Sequence, residues 1–274
     1  MLQHSPKIVL AIAGFDPSSG AGVSADLKTI AAHGLYGVSC ITALTLQTTQ
    51  GVLRSDAVEP RLIRETLEAL VEDAPPAAVK VGMLGSGEVA SEVVTFLKAN
   101  PLPNVVLDPV FQSSSGADLL DKPGLRILRD ELPAIVDIVT PNLQEAEVLT
   151  GLPVADEGGM ERACHEFRKL GVKNVVVKGG HLRQPLDMLA TWPSNQEVFR
   201  RFHNEKIETK NTHGTGCAYS TCIACNLAMG RSLDGEEGAV LHARDYVAAA
   251  LREAYKIGQG TGPINHFHSA RPKV

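Results

Sequence analysis

The chain has 274 residues and a formal net charge of −5, with no basic stretch suited to nucleic acid or an anionic membrane surface. Apolar residues make up 44% and aromatic residues only 4%, so the core must be built from aliphatic side chains. No apolar run approaches the roughly 20 residues of a membrane span, and the run at 8–13 is too short for a signal peptide. The odd number of cysteines, five, predicts free thiols and a cytoplasmic protein.

Short aliphatic runs alternate along the chain with amphipathic segments, which is typical of parallel strands joined by helices. The predicted strands are Lys7–Ala13, Ser39–Thr45, Ala78–Val81, Asn104–Leu107, Ile135–Thr140 and Asn174–Lys178. The predicted helices are Gly22–His33, Arg61–Glu72, Gly87–Asn100, Asn142–Thr150, Gly158–Leu170, Gly216–Met229 and an interrupted Leu233–Ile257. The stretch Asp187–Glu208 predicts a short meander or hairpin. Without a repeat or linker, we expect a single α/β domain over residues 1–274, with a mostly parallel central sheet in a three-layer α/β/α arrangement.

Small and polar residues follow several of the predicted strands. Ligands of such sheets bind beyond the carboxyl ends of the strands, so these residues are the first candidates for a site. They are Gly14, Asp16, Gln47, Met83, Asp108, Asn142 and Lys178.

A glycine-rich turn, Asn211–Cys217, precedes a helix of small residues. Two glycines let backbone N–H groups converge, and the helix N-terminus adds partial positive charge, so Gly214, Thr215 and Gly216 predict an anion hole for a phosphoryl group. An ordinary glycine-rich helix start is the alternative. The turn matches neither the Walker A loop nor the glycine-rich loop of protein kinases.

Cys217 is predicted in the first turn of that helix, where the helix dipole favours a thiolate and lowers the pKa of a thiol. Such a thiolate could take the proton of an attacking hydroxyl group. A buried structural thiol is one alternative. A metal cluster on Cys217, Cys222 and Cys225 is another, but these positions point around the helix and a fourth thiolate is missing.

Two candidates for small-molecule recognition lie near the first two strands. Gln47 offers paired donor and acceptor groups that suit an aminopyrimidine edge, although a surface loop glutamine would look the same. Asp26 lies one turn into the first helix, after the small-residue segment Ala13–Gly22. That segment lets backbone approach a ligand closely or is simply a flexible turn.

Carboxylates at strand ends are natural holders of hydrated Mg²⁺, and Asp108 and Glu145 are predicted there. Asn142 lies three residues before Glu145, so the two share a helix face, but the same pattern is also an N-cap box. Lys178 ends a further strand, where it could reach a nucleotide phosphate or be an ordinary solvated lysine.

The segment Gly85–Ala90 fits the dinucleotide fingerprint and precedes Asp108 by a suitable distance. It therefore keeps an NAD(P)-dependent oxidoreductase open as a function. The fingerprint should follow the first strand, whereas here it follows about the third, which weakens that hypothesis.

Taken together, the motifs resemble the hydroxymethylpyrimidine/phosphomethylpyrimidine kinases of thiamine biosynthesis, in the ribokinase-like superfamily. The resemblance runs nearly end to end and depends on the ordered set of segments. These are Ala13–Thr29, Tyr36–Leu44, Lys80–Leu84, Val106–Val110, Ser115–Gly116, Thr140–Glu145, Val177–His181, Asn211–Cys217 and Gly260–His268.

The resemblance implies a ribokinase-like fold, a homodimer and two successive ATP-dependent phosphorylations. The first acts on 4-amino-5-hydroxymethyl-2-methylpyrimidine and the second on its monophosphate. It implies that Gln47 reads the aminopyrimidine, that Asp26 lies near the hydroxymethyl group, and that Gly14, Met83 and Val110 line the ring pocket.

For the phosphoryl side, the resemblance implies Cys217 as the base beside an anion hole of Gly214, Thr215 and Gly216. It implies that Lys178 and His213 face ATP. It also implies that Asp108, Asn142 and Glu145 organise Mg²⁺ largely through water. Whether a monovalent cation binds as well is left open.

A cysteine at position 217 resembles the pyrimidine kinases and some bacterial pyridoxal kinases, whereas much of the superfamily has Asp there. A pyridoxal kinase is therefore the alternative enzyme, with Gln47 favouring the pyrimidine. A non-catalytic sensor is a third class, disfavoured by the presence of Cys217 and Lys178. Two residues depart from the family pattern: Phe15 stands where Ser or Thr is usual, and Ser19 stands where Gly is common. Whether the Phe15 ring narrows the pocket is left open.

Overall fold

The computed structural model describes residues 5–113, 115–180, 182–203 and 205–269. Within these ranges the strands are β1 (Ile8–Phe15), β2 (Tyr36–Thr48), β3 (Gly51–Ala57), β4 (Ala78–Val81), β5 (Val105–Leu107), β6 (Ile138–Val139), β7 (Asn174–Gly179), β8 (Leu186–Thr191) and β9 (Val198–His203). The helices are α1 (Gly22–Ala32), α2 (Pro60–Asp73), α3 (Gly87–Ala99), α4 (Lys122–Asp130), α5 (Leu132–Ile135), α6 (Leu143–Thr150), α7 (Glu157–Lys169), α8 (Thr215–Ala228) and α9 (Ala239–Arg252).

All the strands of the described residues join one sheet, in the order β3-β2-β1-β4-β5-β6-β7-β8-β9. The six strands from β2 to β7 in this order pair in parallel. Antiparallel strands close both edges, β3 beside β2 and the β8–β9 hairpin beside β7. The mostly parallel sheet that the sequence predicts is therefore confirmed.

Helices cover both faces of the sheet, which explains why its central strands read as continuous apolar runs. Successive residues of β1 point to opposite sides, with Val9 in one apolar cluster and Leu10 in the other. The cluster with Leu10 packs against α2 to α7, and the cluster with Val9 packs against α1, α8 and α9. This is the three-layer α/β/α arrangement that we predicted.

Several predicted bounds were wrong. Ile135 ends the short helix α5 and is not part of a strand, while β3, α4 and α5 were missed. The last helix was predicted over Leu233–Ile257, whereas the observed helix α9 is shorter and covers Ala239–Arg252. The hairpin expected within Asp187–Glu208 is present as β8 and β9, apart from residue 204, which lies outside the described residues. His181 of the motif after β7 also lies outside the described residues, and so do residues 1–4 and 270–274 of the predicted domain.

Among the described residues, no helix has the length and apolar character needed to cross a membrane.

Candidate active site

A cavity of about 240 Å³ opens at the carboxyl ends of the parallel strands, against the N-terminus of α8. Its position follows from the topology, because parallel strands deliver the residues after them to one edge of the sheet. Every predicted site residue except Asp26 lines it. These lining residues are Gly14, Gln47, Met83, Asp108, Val110, Asn142, Glu145, Lys178, His213, Gly214, Thr215, Gly216 and Cys217.

The predicted anion hole forms the first turn of α8. Gly214 caps the helix in the left-handed region, with φ 83°, where a side chain would be strained. A Cβ on Gly216 would lie 3.5 Å from Lys178 Nζ and 3.8 Å from Asp108 Oδ2. The N–H of Thr215 donates to Thr212 O at 3.3 Å. The first N–H groups of a helix have no intrahelical partner, so the N–H groups of the neighbouring Gly214 and Gly216 can serve a ligand beside Lys178. The arrangement suits an anion such as a phosphoryl group.

Cys217 lies in the same turn, at the floor of the cavity. The N–H of Gly22, the first residue of α1, donates a hydrogen bond to its sulfur. Burial nevertheless raises the pKa of Cys217 to about 11. The nearby Lys80 ammonium lowers it in part, while the Asp26 and Asp108 carboxylates raise it further. The expectation that the helix lowers this pKa was wrong, because desolvation of a buried thiolate outweighs the helix N-terminus.

The other four cysteines are buried, and all five are free. Within the described ranges, no group of three or more His, Cys, Asp and Glu residues is arranged to hold a metal ion. The cluster hypothesis for Cys217, Cys222 and Cys225 was therefore wrong.

An ion pair lies opposite the turn, with Lys178 Nζ 2.9 Å from Asp108 Oδ1. Burial by itself lowers the pKa of Lys178, but the Asp108 and Glu145 carboxylates outweigh it and raise the pKa. Burial raises the pKa of Glu145 to about 7, opposed by Lys178 and reinforced by Asp108. The lysine therefore partly neutralises two buried carboxylates that share one side of the cavity.

Asn142 and Glu145 form a capping box at the start of α6. Asn142 Oδ1 accepts the Glu145 N–H at 2.8 Å, and Glu145 Oε2 accepts the Asn142 N–H at 2.7 Å. The capping alternative is therefore present in the structure, and the box engages one oxygen of Asn142 and one of Glu145. Asp108 and Glu145 remain as hard oxygen donors, too few for an all-protein cage but suited to an ion that keeps most of its waters.

On the other side of the cavity, Gln47 lies beside His213. Gln47 Nε2 is 3.3 Å from His213 Nε2, and Gln47 Oε1 accepts the Thr45 hydroxyl at 3.1 Å. His213 Nε2 also lies 2.8 Å from Asp16 Oδ2. The structure therefore places the His213 ring on the Gln47 side, whereas the sequence predicted it facing ATP.

Asp16 was a strand-end candidate to which no role was given. Its carboxylate is held by the loop that follows, accepting N–H groups from Ser18 at 2.8 Å and Ala21 at 2.8 Å. Burial alone would raise the pKa of Asp16, but the hydrogen bonds from His213 and Ser18 outweigh it and lower the pKa. The order Asp-Pro-Ser-Ser, typical of an Asp-initiated turn, was the signal in the sequence.

Asp26 does not line the cavity, and its prediction as a substrate contact was wrong. The side chain is fully buried below the floor, with Oδ2 2.9 Å from Lys80 Nζ and Oδ1 accepting the Thr221 hydroxyl at 2.7 Å. An acid with no exposed surface and both oxygens engaged has nothing to offer a ligand. Lys80 was not predicted as a site residue, yet it does line the cavity.

The apolar wall of the cavity is a small cluster apart from the two main cores. Met83 and Val110 pack there with Leu119. Phe15 also lines the cavity and belongs to neither main apolar cluster. Ser19 has φ 64°, which explains why glycine is common at that position.

The segment Gly85–Ala90, which fits a dinucleotide fingerprint, opens α3 but is not part of the cavity. A Cβ on Gly87 would lie 2.8 Å from Pro123 Cβ, so this glycine serves the close packing of α3 on α4. The segment therefore lies away from the cavity and gives the oxidoreductase hypothesis no support.

Comparison with known proteins agrees with this geometry. The family model described as phosphomethylpyrimidine kinase matches residues 16–265. The hydroxymethylpyrimidine/phosphomethylpyrimidine kinase of Haemophilus influenzae is 40% identical over 268 residues, 97% of this chain and 98% of that protein. A crystal structure of phosphomethylpyrimidine kinase from Clostridium difficile is 37% identical with a TM-score of 0.77, covering 89% of this chain and 99% of that one. An ADP complex of Bacillus subtilis pyridoxal kinase is 30% identical with a TM-score of 0.87, covering 97% and 99%.

Proposed function

Because this chain belongs to the phosphomethylpyrimidine kinase family, we propose that it carries out two successive ATP-dependent phosphorylations in thiamine biosynthesis. The first acts on the hydroxyl group of 4-amino-5-hydroxymethyl-2-methylpyrimidine, and the second acts on the monophosphate that results. The chain is therefore a phosphotransferase with a ribokinase-like fold. The use of ATP is supported by the ADP complex of the related pyridoxal kinase.

One observation carries this proposal: Gln47 and the first turn of α8 face the same cavity of about 240 Å³. The Gln47 amide can pair with an aminopyrimidine, and the N–H groups of the turn can hold a phosphoryl group. Met83 and Val110 supply the apolar wall that a heterocyclic ring needs. His213 is assigned to the ring side because it contacts Gln47.

On the nucleotide side, Lys178 faces the phosphates and the N–H groups of Gly214, Thr215 and Gly216 hold the migrating phosphoryl group. Asp108 and Glu145 would hold a hydrated Mg²⁺, which neutralises phosphate charge when bound. Positioning and charge stabilisation do most of the work in phosphoryl transfer, so few residues need to react. Cys217, in its thiolate form, takes the proton of the acceptor hydroxyl.

A pyridoxal kinase is the second candidate, and the structural similarity to a pyridoxal kinase favours it. The discriminating experiment offers the purified protein ATP with each vitamer in turn and separates the products by ion-exchange chromatography. We expect mono- and diphosphate of the pyrimidine to form much faster than pyridoxal phosphate. Faster phosphorylation of pyridoxal would overturn the assignment.

Gln47→Ala tests the recognition half of this proposal. We expect KM for the pyrimidine to rise at least tenfold, on the order of one lost hydrogen-bonded pair, with KM for ATP little changed. Gln196→Ala, at an exposed position after the 3₁₀ turn, is the control. An unchanged KM in Gln47→Ala would contradict the role given to Gln47.

We further propose that residues 1–274 act as one kinase domain, since the strands of the described ranges share one sheet. We place the enzyme in the cytoplasm, where the five free cysteines would stay reduced. We also propose a homodimer, supported by the exposed apolar side chains Leu44 and Leu46 on β2.

A further inference from the structure

A fully buried ion pair lies below the floor of the cavity. Lys80 on β4 and Asp26 on α1 are both completely inaccessible, with Lys80 Nζ 2.9 Å from Asp26 Oδ2. The other Asp26 oxygen accepts the hydroxyl of Thr221 on α8 at 2.7 Å. These two polar contacts join α1 and α8 to the central strand β4.

Helices α1 and α8 both bring this ion pair close to Cys217. Cys217 and Thr221 are four residues apart on α8, so they share a helix face and the pair lies one turn below the thiol. Gly22, whose N–H donates to the Cys217 sulfur, is likewise four residues before Asp26 on α1. Lys80 borders the cavity, as Cys217 does, although its side chain has no exposed surface.

A glycine, Gly82, provides the space that the Lys80 ammonium group occupies. Gly82 lies two residues after Lys80, and a Cβ there would stand 2.6 Å from Lys80 Nζ. Only a glycine leaves the ammonium group where it is.

Stability alone does not explain the pair. Desolvating two charges costs several kcal/mol each in an apolar interior, and apolar residues of similar size are often as stable or more so. Desolvation alone would lower the pKa of Lys80, but Asp26, Cys217 and Asp108 outweigh it and raise the pKa, so the ammonium stays charged. The Lys80 ammonium lowers the pKa of Cys217 by more than the Asp26 carboxylate raises it, so the pair as a whole favours the thiolate.

We infer that Lys80, held in place by Asp26, is a positioning residue that supplies fixed positive charge beneath Cys217 and stabilises its thiolate. The inference rests on the proposed function, because it assigns the thiolate a proton to accept. As the acceptor oxygen forms its bond to the γ-phosphorus, the bond from that phosphorus to the bridging oxygen breaks and its electron pair leaves with ADP. The hydroxyl proton passes to the Cys217 sulfur, which returns it to water after the product departs.

The test uses a paired substitution that removes both charges, Lys80→Met with Asp26→Asn. Lys80→Met alone would leave a buried carboxylate unpaired and destabilise the fold, whereas the paired variant leaves no charge behind. We expect its melting temperature to stay within a few degrees of wild type. Cys217 should react with iodoacetamide about tenfold more slowly at pH 8.5, because the thiolate is the reactive form.

Alkylation reports on Cys217 because the other four cysteines are buried, and peptide mass spectrometry identifies the modified residue. We also expect kcat of the first phosphorylation to fall about tenfold or more, with KM for ATP within twofold of wild type. The control removes a different ion pair between elements, Arg64→Met with Glu92→Gln, joining α2 to α3. It should leave both the alkylation rate and kcat unchanged.

Wild-type alkylation and kcat in the paired variant would overturn the inference, since the pair would then be structural. Failure of the paired variant to fold would also count against it, because the pair would be serving stability. The alkylation measurement needs no substrate, so it can fail or succeed independently of which vitamer the enzyme phosphorylates.

Discussion

At the scale of single residues, the charge of position 217 distinguishes this site from one with an aspartate there. Burial raises the pKa of Cys217 to about 11, so the resting site carries a neutral thiol near pH 7. A carboxylate would add a fixed negative charge close to the second acceptor, which is itself a phosphate monoester. The thiol therefore suits a cavity that must take a neutral pyrimidine first and its charged monophosphate next.

Cys217→Asp should accordingly slow the second phosphorylation more than the first. We expect the ratio of the second rate to the first to fall about tenfold or more, because the added charge repels the monophosphate. Single-turnover measurements of both steps give the ratio directly. Cys217→Ser, which adds no charge, should keep the ratio, and an equal ratio in Cys217→Asp would refute the explanation.

Glu145 predicts a pH dependence of stability. Burial raises its pKa from 4.5 to about 7, so between these values the folded state holds a proton that the unfolded state has lost. The stability contributed by the protonated form is complete below pH 4.5 and is lost as the pH rises through 7.

Glu145→Gln removes this dependence and keeps a side chain that fits the capping box. Relative to wild type, its free energy of unfolding should increase by about 1–3 kcal/mol between pH 4.5 and pH 8. Urea denaturation in the presence of EDTA measures it. Glu147→Gln, on the exposed side of α6, controls for the change from carboxylate to amide. Parallel stability curves for Glu145→Gln and wild type would show that the prediction is wrong.

At the scale of elements, the sequence predicts a buried central strand better than an edge strand. β4 was predicted with its observed bounds, Ala78–Val81, because three of its four buried residues are apolar and two of them are β-branched. β3 was missed, since its exposed residues Arg54 and Asp56 give no alternating apolar pattern. Its strand conformation depends on antiparallel pairing with β2, a partner that the sequence does not identify.

The helix caps give a prediction at this scale. Asn142→Ala should lower the free energy of unfolding by about 1 kcal/mol, because the N–H of Glu145 loses its acceptor. Asp156→Ala is the matched control at the start of α7, where Oδ1 accepts the Gly159 N–H at 2.7 Å, and should cost a similar amount. Guanidinium denaturation measures both, and no loss in Asn142→Ala would contradict the capping assignment.

At the scale of the whole molecule, one face of β2 exposes an apolar surface. Leu44 and Leu46 are two residues apart, so they share one face of β2, and their exposures are 52% and 56%. Adjacent exposed leucines are typical of a surface that another chain covers. A second copy of this chain is the partner that we proposed.

Leu44→Glu with Leu46→Glu should therefore convert a dimer to a monomer, because the glutamates would have to be desolvated in the interface. Light scattering after size-exclusion chromatography gives the mass, and circular dichroism checks the fold. Leu62→Glu on α2, at a leucine that is 54% exposed, is the control and should remain dimeric. A dimer that survives the double substitution would place the interface elsewhere.

The sequence by itself determined the layers of the fold and the candidates for the site. Buried parallel strands must read as apolar runs, and the residues at their carboxyl ends must meet at one edge, so Asp108 and Lys178 could be identified from their positions. Cys217 could be identified from the glycine-rich turn before its helix. The meeting of these residues at one site follows from the sheet topology alone. The same periodicity also gave the helices that cover both faces of the sheet.

Only the tertiary structure decided what each side chain does there. Asp26 and Asp16 both looked like candidates, yet packing buries Asp26 against Lys80 and leaves Asp16 holding His213. The pKa of Cys217 depends on how much water surrounds the sulfur, and it rose where the helix position alone predicted a fall. Desolvation and ion pairing are set by residues far apart in the chain, which is why spacing could not reveal them.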